Sequence, residues 1–316
     1  MNIFMKAAGR VGPSGLARRE AIAGYLFLLP WALGFLFFLL IPLTMSLYAS
    51  FTHWTLINPP PRWIGLENFQ DMFTTDRFFG WSLWVTIKFM LMTLIPGIIL
   101  GVGLAILLNQ KLRGMYLART VFYVPAVLSG VAVTILWLNL LHPELGAINT
   151  VLRSLGVQDP PGWVNSADWA VPAVALMSIW GVGGAAIIYL AGLQNIPAHL
   201  YEAAKLDGAN AWQMFWKITL PMLSPTIFFM LITGLIGAFQ VFTPAYIMGG
   251  AGRFGTNRHL RFYVLHTYLK GFQEGKLGYA AALAWVLVIF SAIIVVIIYN
   301  TSERYVYYEE GGRNDA

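Results

Sequence analysis

Five stretches of this 316-residue chain run for about 20 or more residues without one Asp, Glu, Lys or Arg, and no other feature constrains its fold so tightly. They cover approximately 23–51, 120–141, 169–194, 222–251 and 277–302. That length is what an α-helix needs to cross the bilayer hydrocarbon, roughly 30 Å at about 1.5 Å per residue. A sixth stretch, 81–108, contains one charge, Lys88. Its part 89–108 is long enough to span, and Lys88 can snorkel from the rim. Aromatic side chains crowd the segment ends at Trp54, Trp63, Trp81, Trp84, Trp163, Trp169, Tyr305, Tyr307 and Tyr308, as headgroup-level anchors do. Hydrophobic residues make up 58% of the chain and charged residues 11%, too apolar for a water-soluble core. The expected fold is all-α: a polytopic membrane bundle of six transmembrane helices, 23–302, between an N-terminal segment 1–22 and a tail 303–316.

Orientation follows from basic residues. Lys6, Arg10, Arg18 and Arg19 precede the first apolar run, which is too long for a signal-peptide core and lacks a small-x-small cleavage site, so it reads as a retained helix. Placing both termini in the cytoplasm puts eleven Lys and Arg inside: four before the first span, three in 111–119, two in 195–221 and two in the tail. The outer loops then hold two, one and five. The last group (Arg253, Arg258, Arg261, Lys270, Lys276) runs against the positive-inside tendency and suggests a loop kept positive for a partner.

Several function classes lose support. All fourteen Asp and Glu residues fall outside the six spans, which argues against a proton relay at mid-membrane. The Gly275-Lys276 pair is followed by Leu277 and has Lys270 where a phosphate loop needs its first glycine, so the chain has no nucleotide site of its own. There is no cysteine, and the histidines His53, His142, His199, His259 and His266 lack metal-ligand spacing or an obvious carboxylate partner. Catalytic, metal and cofactor residues are therefore none. The net charge of +6 is scattered, without a basic-aromatic face for nucleic acid.

The segment 195–221 between the fourth and fifth spans reads as two short helices joined at Gly208. Asn195 can cap, Pro197 fits a first turn, and Gly208 can take the positive φ that ends the first helix. Asn210 can cap the second, which Pro221 follows. Leu200, Ala203 and Ala204 share one face with Glu202 beside it, a small-residue surface suited to a groove. Trp212, Phe215, Trp216 and Ile218 are apolar anchors. Helix physics alone fits an interfacial loop without a partner equally well.

The order and spacing Glu202-Ala203-Ala204, Gly208, Ile218, Leu220-Pro221 resembles the complete E-A-A loop of ABC importer permeases. In that family the first loop helix is a coupling helix seated in a cleft of the ATP-hydrolysing subunit. The resemblance therefore assigns ATPase coupling to Glu202, Ala203, Ala204, Asp207, Gly208, Ile218, Leu220 and Pro221. Further stretches are similar to the maltose-type carbohydrate branch: 63–69 (WIGLENF), 125–130 (PAVLSG), Trp137, 146–149 (GAIN) and 191–197 (AGLQNIP). The likeness runs over 25–308, with Ala251 where the family usually has proline after Gly249-Gly250.

The resemblance implies a permease of the bacterial cytoplasmic (inner) membrane that forms half of a sugar pathway. Its implied partners are a second homologous permease, two ATP-binding subunits that hold ATP and Mg, and an extracellular or periplasmic solute-binding protein. On the fifth span Phe239, Phe242, Thr243 and Tyr246 fall on one helical face, and Gln240 is a neutral polar group. Aromatic platforms beside amides and hydroxyls suit sugars. On the fourth, Ser178, Trp180, Gly181, Gly183 and Gly184 combine a hydroxyl, an aromatic ring and small residues, although such glycines more often mark close helix packing. Two alternatives stay open: a secondary carrier or channel working without an ATPase, and an ABC importer permease for a non-sugar solute.

Overall fold

A computed structural model describes residues 15–57, 61–250 and 258–302. The sequence expectations for Lys6, Arg10, Ala251, Arg253, Tyr305, Tyr307 and Tyr308 lie outside the described residues. Helix α1 (Gly15–Phe35) passes through one π turn (Leu36–Leu40) into α2 (Ile41–Ser50). A small antiparallel ribbon follows, β1 (Thr52–His53) on β2 (Arg62–Trp63), with Thr52 opposite Trp63. Next come α3 (Glu67–Thr74), α4 (Phe79–Leu108), α5 (Met115–Val127), α6 (Gly130–Leu140) and α7 (Ala147–Ser154). The remainder comprises α8 (Ala170–Trp180), α9 (Gly183–Gln194), α10 (Ala198–Leu206), α11 (Ala211–Met214), α12 (Leu220–Phe239), α13 (Thr243–Met248), α14 (Tyr263–Tyr268) and α15 (Leu277–Ser302).

Among the described residues four helical runs are long and apolar enough to cross a membrane, Arg18–Ser50, Phe79–Leu108, Ala211–Met248 and Leu277–Ser302, or up to six if each of two bent pairs is one span. The expected third span is α5 and α6, bent by 95°, and the fourth is α8 and α9, bent by 46°. Neither is the single straight helix that its apolar run suggests, because hydropathy does not register backbone breaks. After Pro125 the chain turns extended at Leu128 and Ser129 before α6 begins. Pro96, by contrast, sits inside an unbroken α4.

Two prolines near helix starts are carried through by π turns. Pro42 and Pro221 are each the second residue after one, Leu36–Leu40 and Phe215–Thr219. Proline lacks a donor and crowds the carbonyl four residues back; the extra residue in a π turn displaces that carbonyl. Pro221 therefore does not stop the second loop helix, which continues from α11 into α12.

Helix α4 is the hub, packing on α8, α9, α12 and α14. Near its start, Phe79 joins Met72, Tyr263, Tyr279 and Leu283. Further along, Val85 and Phe89 meet Trp137, Val174 and Phe262, and near its end Val102, Ala105 and Leu108 meet Tyr189, Leu193 and Leu223. The window of α1 and α2 that would cross the bilayer is not buried against this chain at all. An all-round apolar helix of that kind needs lipid or another subunit as its solvent.

Candidate functional site

The loop 195–221 is built by caps that the sequence spells out. Helix α10 ends in a Schellman arrangement: Gly208 takes φ +79°, its N–H donates to the Lys205 carbonyl at 3.1 Å, and the Ala209 N–H donates to the Ala204 carbonyl at 2.9 Å. A side chain at Gly208 would be strained by that φ. Asn210 and Gln213 form a reciprocal capping box at the start of α11, both bonds at 2.9 Å. Asn195 does not cap α10; it ends α9, and Pro197, in extended conformation, precedes the first turn.

Packing divides α10 differently from the expected face. Leu200 turns inward with Tyr201 and packs, with Ile218, on the cluster around Leu108 and Leu223. The Tyr201 and Thr219 hydroxyls lie 2.9 Å apart, tying α10 to the helix that becomes α12. The outward stripe is His199, Glu202, Ala203 and Leu206, at i, i+3, i+4 and i+7. Leu206 was not singled out in the sequence, yet it is 90% exposed. Its signal was available as the next member of that stripe. Ala204, Asp207, Gly208, Gln213, Met214 and Ile218 line a groove of about 390 Å³ between the two loop helices. Leu220 and Pro221 lie behind it, in the first turn of α12.

At the opposite end of α4, Asp76 just precedes the helix, which spans 30 residues or about 45 Å. Asp76 Oδ2 accepts from the Tyr279 hydroxyl at 2.7 Å and lies 2.8 Å from His266 Nε2, while Oδ1 accepts from the Phe78 N–H at 2.9 Å. Lys270 stands 3.8 Å away, and the carboxylate is only 5% exposed. Burial pushes the Asp76 carboxyl up, but the hydrogen bond and charge of His266 and the Tyr279 and Phe78 bonds outweigh it and hold the group well below the usual carboxylate range. His266 thus has a carboxylate partner 190 positions away in sequence, correcting the expectation that it had none nearby. Its buried Nδ1 is without a hydrogen bond.

The suggested pathway residues separate into three places. Ser178 hydrogen-bonds the Val174 carbonyl at 2.9 Å and, with Thr93, Gly181 and Tyr189, borders a cavity of about 220 Å³ inside the helices. Trp180 meets Trp137 edge-on at 6.0 Å, and Gly183 faces the backbone carbonyl of Phe122, a packing contact. The single face proposed for the fifth span is not formed: the helix breaks at Gln240, Val241 and Phe242 between α12 and α13. Phe239 is buried against Phe290, whereas Gln240 is exposed at the break. Pro244 restarts the helix in its first turn, just after Thr243. Phe242 and Tyr246 stack at 5.4 Å and both meet Tyr268 edge-on, which in turn stacks on exposed Phe272. Tyr268 and Phe272 were missed; their i, i+4 spacing was the available signal. Among the described residues no group of His, Cys, Asp and Glu could hold a metal.

Residues 97–306 match the family model described as a binding-protein-dependent transport system inner membrane component. A probable ABC transporter permease of Bacillus subtilis, YesP, is 40% identical over 92% of this chain and 94% of its own length. The trehalose/maltose transport system permease MalF of Thermococcus litoralis is 30% identical over 89% of this chain and 95% of its own. A crystal structure of a bacterial ABC transporter importing the acidic polysaccharide alginate superposes with a TM-score of 0.80 at 27% identity, covering 92% of this chain and 98% of that one.

Proposed function

Because the chain belongs to the family of binding-protein-dependent transport inner membrane components, multi-pass proteins of the cytoplasmic membrane, we propose that it is one permease half of an ATP-driven importer of a sugar or oligosaccharide. Its six spans run with both termini in the cytoplasm, as the basic flank of the first helix favours. A second, homologous permease completes the pathway, and two separate ATP-binding subunits hold ATP and Mg and do the hydrolysis. A solute-binding protein delivers the sugar from outside; one related alginate importer has been seen in complex with its pentasaccharide-bound periplasmic protein.

The observation that carries the reading is the rigidly capped loop 195–221 with Glu202, Ala203 and Leu206 outward, packed on the Leu108 end of α4. ATP-driven closure of the ATPase subunits would push on that stripe, and the Tyr201 and Ile218 contacts would pass the movement into α12. Along α12 the next discontinuity is Gln240 to Phe242. A broken helix there frees polar backbone and sets Gln240, Thr243 and the Phe242, Tyr246 and Tyr268 rings where hydroxyls and sugar faces can be met. Transport is alternating access without a covalent step on this chain.

The absence of cysteine permits a direct test. Leu206→Cys is expected to crosslink through a short bis-maleimide to an ATP-binding subunit carrying a single surface cysteine. Leu145→Cys, 84% exposed in the loop between the third and fourth spans, is expected not to. Failure of every Leu206→Cys pairing, or equal crosslinking of both, would count against the loop as the docking element. For the pathway, Tyr268→Ala is expected to lower uptake by about tenfold while leaving ATP-subunit crosslinking unchanged, since a stacked aromatic contact with its area is worth 1 to 2 kcal/mol or about that factor.

A further inference from the structure

Four of the five basic residues assigned to the last outer loop are described, and three of them have partners; the fifth, Arg253, lies outside the described residues. Lys270 lies 3.1 Å and Lys276 3.4 Å from Glu274, so both are paired. Arg261 sets its guanidinium 4.1 Å over the Phe78 ring, in the field of Asp76 and Glu274. Arg258 remains, and beside it stands Arg77 from the first outer loop. No ion pair among the described residues reaches either guanidinium, and the adjoining sequence 251–257 contains no Asp or Glu.

These two cations rim a cleft of about 320 Å³ whose other walls are Phe78, Trp81 and His259. The Trp81 indole N–H donates to the Arg258 carbonyl at 2.7 Å, and the His259 ring meets Trp81 edge-on at 6.2 Å, so the rim is fixed to the first turn of α4. Trp81 is 41% exposed, a ring partly turned outward at the headgroup level. An aromatic floor under two unpaired guanidiniums suits an anion carried on an apolar body.

We propose that this cleft binds the phosphate-bearing headgroup of an anionic phospholipid at the outer membrane surface. The lipid phosphate lies between Arg77 and Arg258, and its glycerol and first methylenes lie on Phe78 and Trp81. This explains how a loop that violates the positive-inside tendency is tolerated: its unpaired charge is neutralised by lipid. The leaflet assignment rests on the topology proposed above. Lipid retention is read without transport or ATP hydrolysis, so it stands or falls separately from the coupling reading.

The test is native mass spectrometry of the chain with its co-purifying subunits, released from nanodiscs of equal phosphatidylglycerol and phosphatidylcholine. The wild type is expected to retain phosphatidylglycerol preferentially. Arg77→Gln and Arg258→Gln are each expected to lower that retention roughly fivefold, the scale of one surface cation on an anionic lipid. Arg77→Lys should retain most of it. Arg77 makes no side-chain bond within the described residues, so its variants are expected to fold. Equal retention in wild type and both Gln variants would overturn the proposal. So would loss of lipid preference in the wild type combined with Arg77-dependent binding of galacturonate, which would reassign the cleft to an acidic sugar.

Discussion

Gly183→Ala is expected to remove most of the correctly assembled chain from detergent extracts, at a cost of about 3 kcal/mol or more, the upper end for overpacking. Gly183 opens α9, and a methyl group there would overlap the carbonyl oxygen and carbon of Phe122 in α5. That obstacle is backbone, not the end of a flexible side chain, so α5 must move away from α9. Helix α9 is held on its other sides by α4 and α12, which leaves little room to compensate. Gly97→Ala is the control: nothing lies within 4 Å of its added carbon, and it sits inside α4. Alanine is the better helix former by about 1 kcal/mol, so this variant is expected to be neutral or stabilised. Thermal unfolding followed by size-exclusion chromatography checks both. If Gly183→Ala assembles normally but fails to transport, the residue meets substrate and the packing account of that position is wrong.

Asp76→Ala is expected to lower stability by about 3 kcal/mol, the scale for leaving one half of a buried polar pair behind. The loss is large because three donors converge on this carboxylate, from His266, Tyr279 and the Phe78 backbone, and they tie the chain before α4 to α14 and α15. Asp76→Asn should cost less, since its amide oxygen still accepts. The pH dependence has a definite sign. A carboxyl held below its usual range in the folded state contributes stability that is fully present above about pH 4 and is lost only as pH falls through the folded value. The contribution of Asp76 to the wild-type unfolding temperature is therefore expected to stay constant between pH 8 and 5, with Asp76→Ala lower by the same margin throughout. A gap between the two proteins that closes on going from pH 8 to pH 5 would contradict the charged, hydrogen-bonded state.

What could be read from residues alone follows from the range of the forces involved. Apolar helical runs and the caps at Gly208 and Asn210 are local: each depends on neighbours within a few positions, and among the described residues the structure has both caps and four helices long and apolar enough to cross a membrane, up to six if each bent pair is one span. Pro221 misled because proline's effect depends on the turn before it, and a π turn has no sequence signature as plain as a missing N–H. Leu200 misled because the i, i+3, i+4 rule says which side chains share a face but not which face meets the bundle. The break at Gln240 was hidden by an uninterrupted apolar run, since hydropathy is indifferent to backbone geometry. Asp76 and His266 could not be paired from the sequence, because 190 residues of folding bring them together.

These features converge on one claim, that motive force enters through the outward stripe of α10 from a separate ATPase. The most direct measurement is ATP hydrolysis by the complex purified through a tag on this chain, in nanodiscs with liganded solute-binding protein, with Glu202 intact and with Glu202→Ala. The account predicts that an ATPase and a second permease co-purify, that hydrolysis responds to the binding protein, and that Glu202→Ala lowers that response by about tenfold, the scale of a docking contact worth 1.4 kcal/mol. Purification as a lone chain that transports without ATP, or a complex whose hydrolysis is indifferent to changes along the stripe, would contradict it.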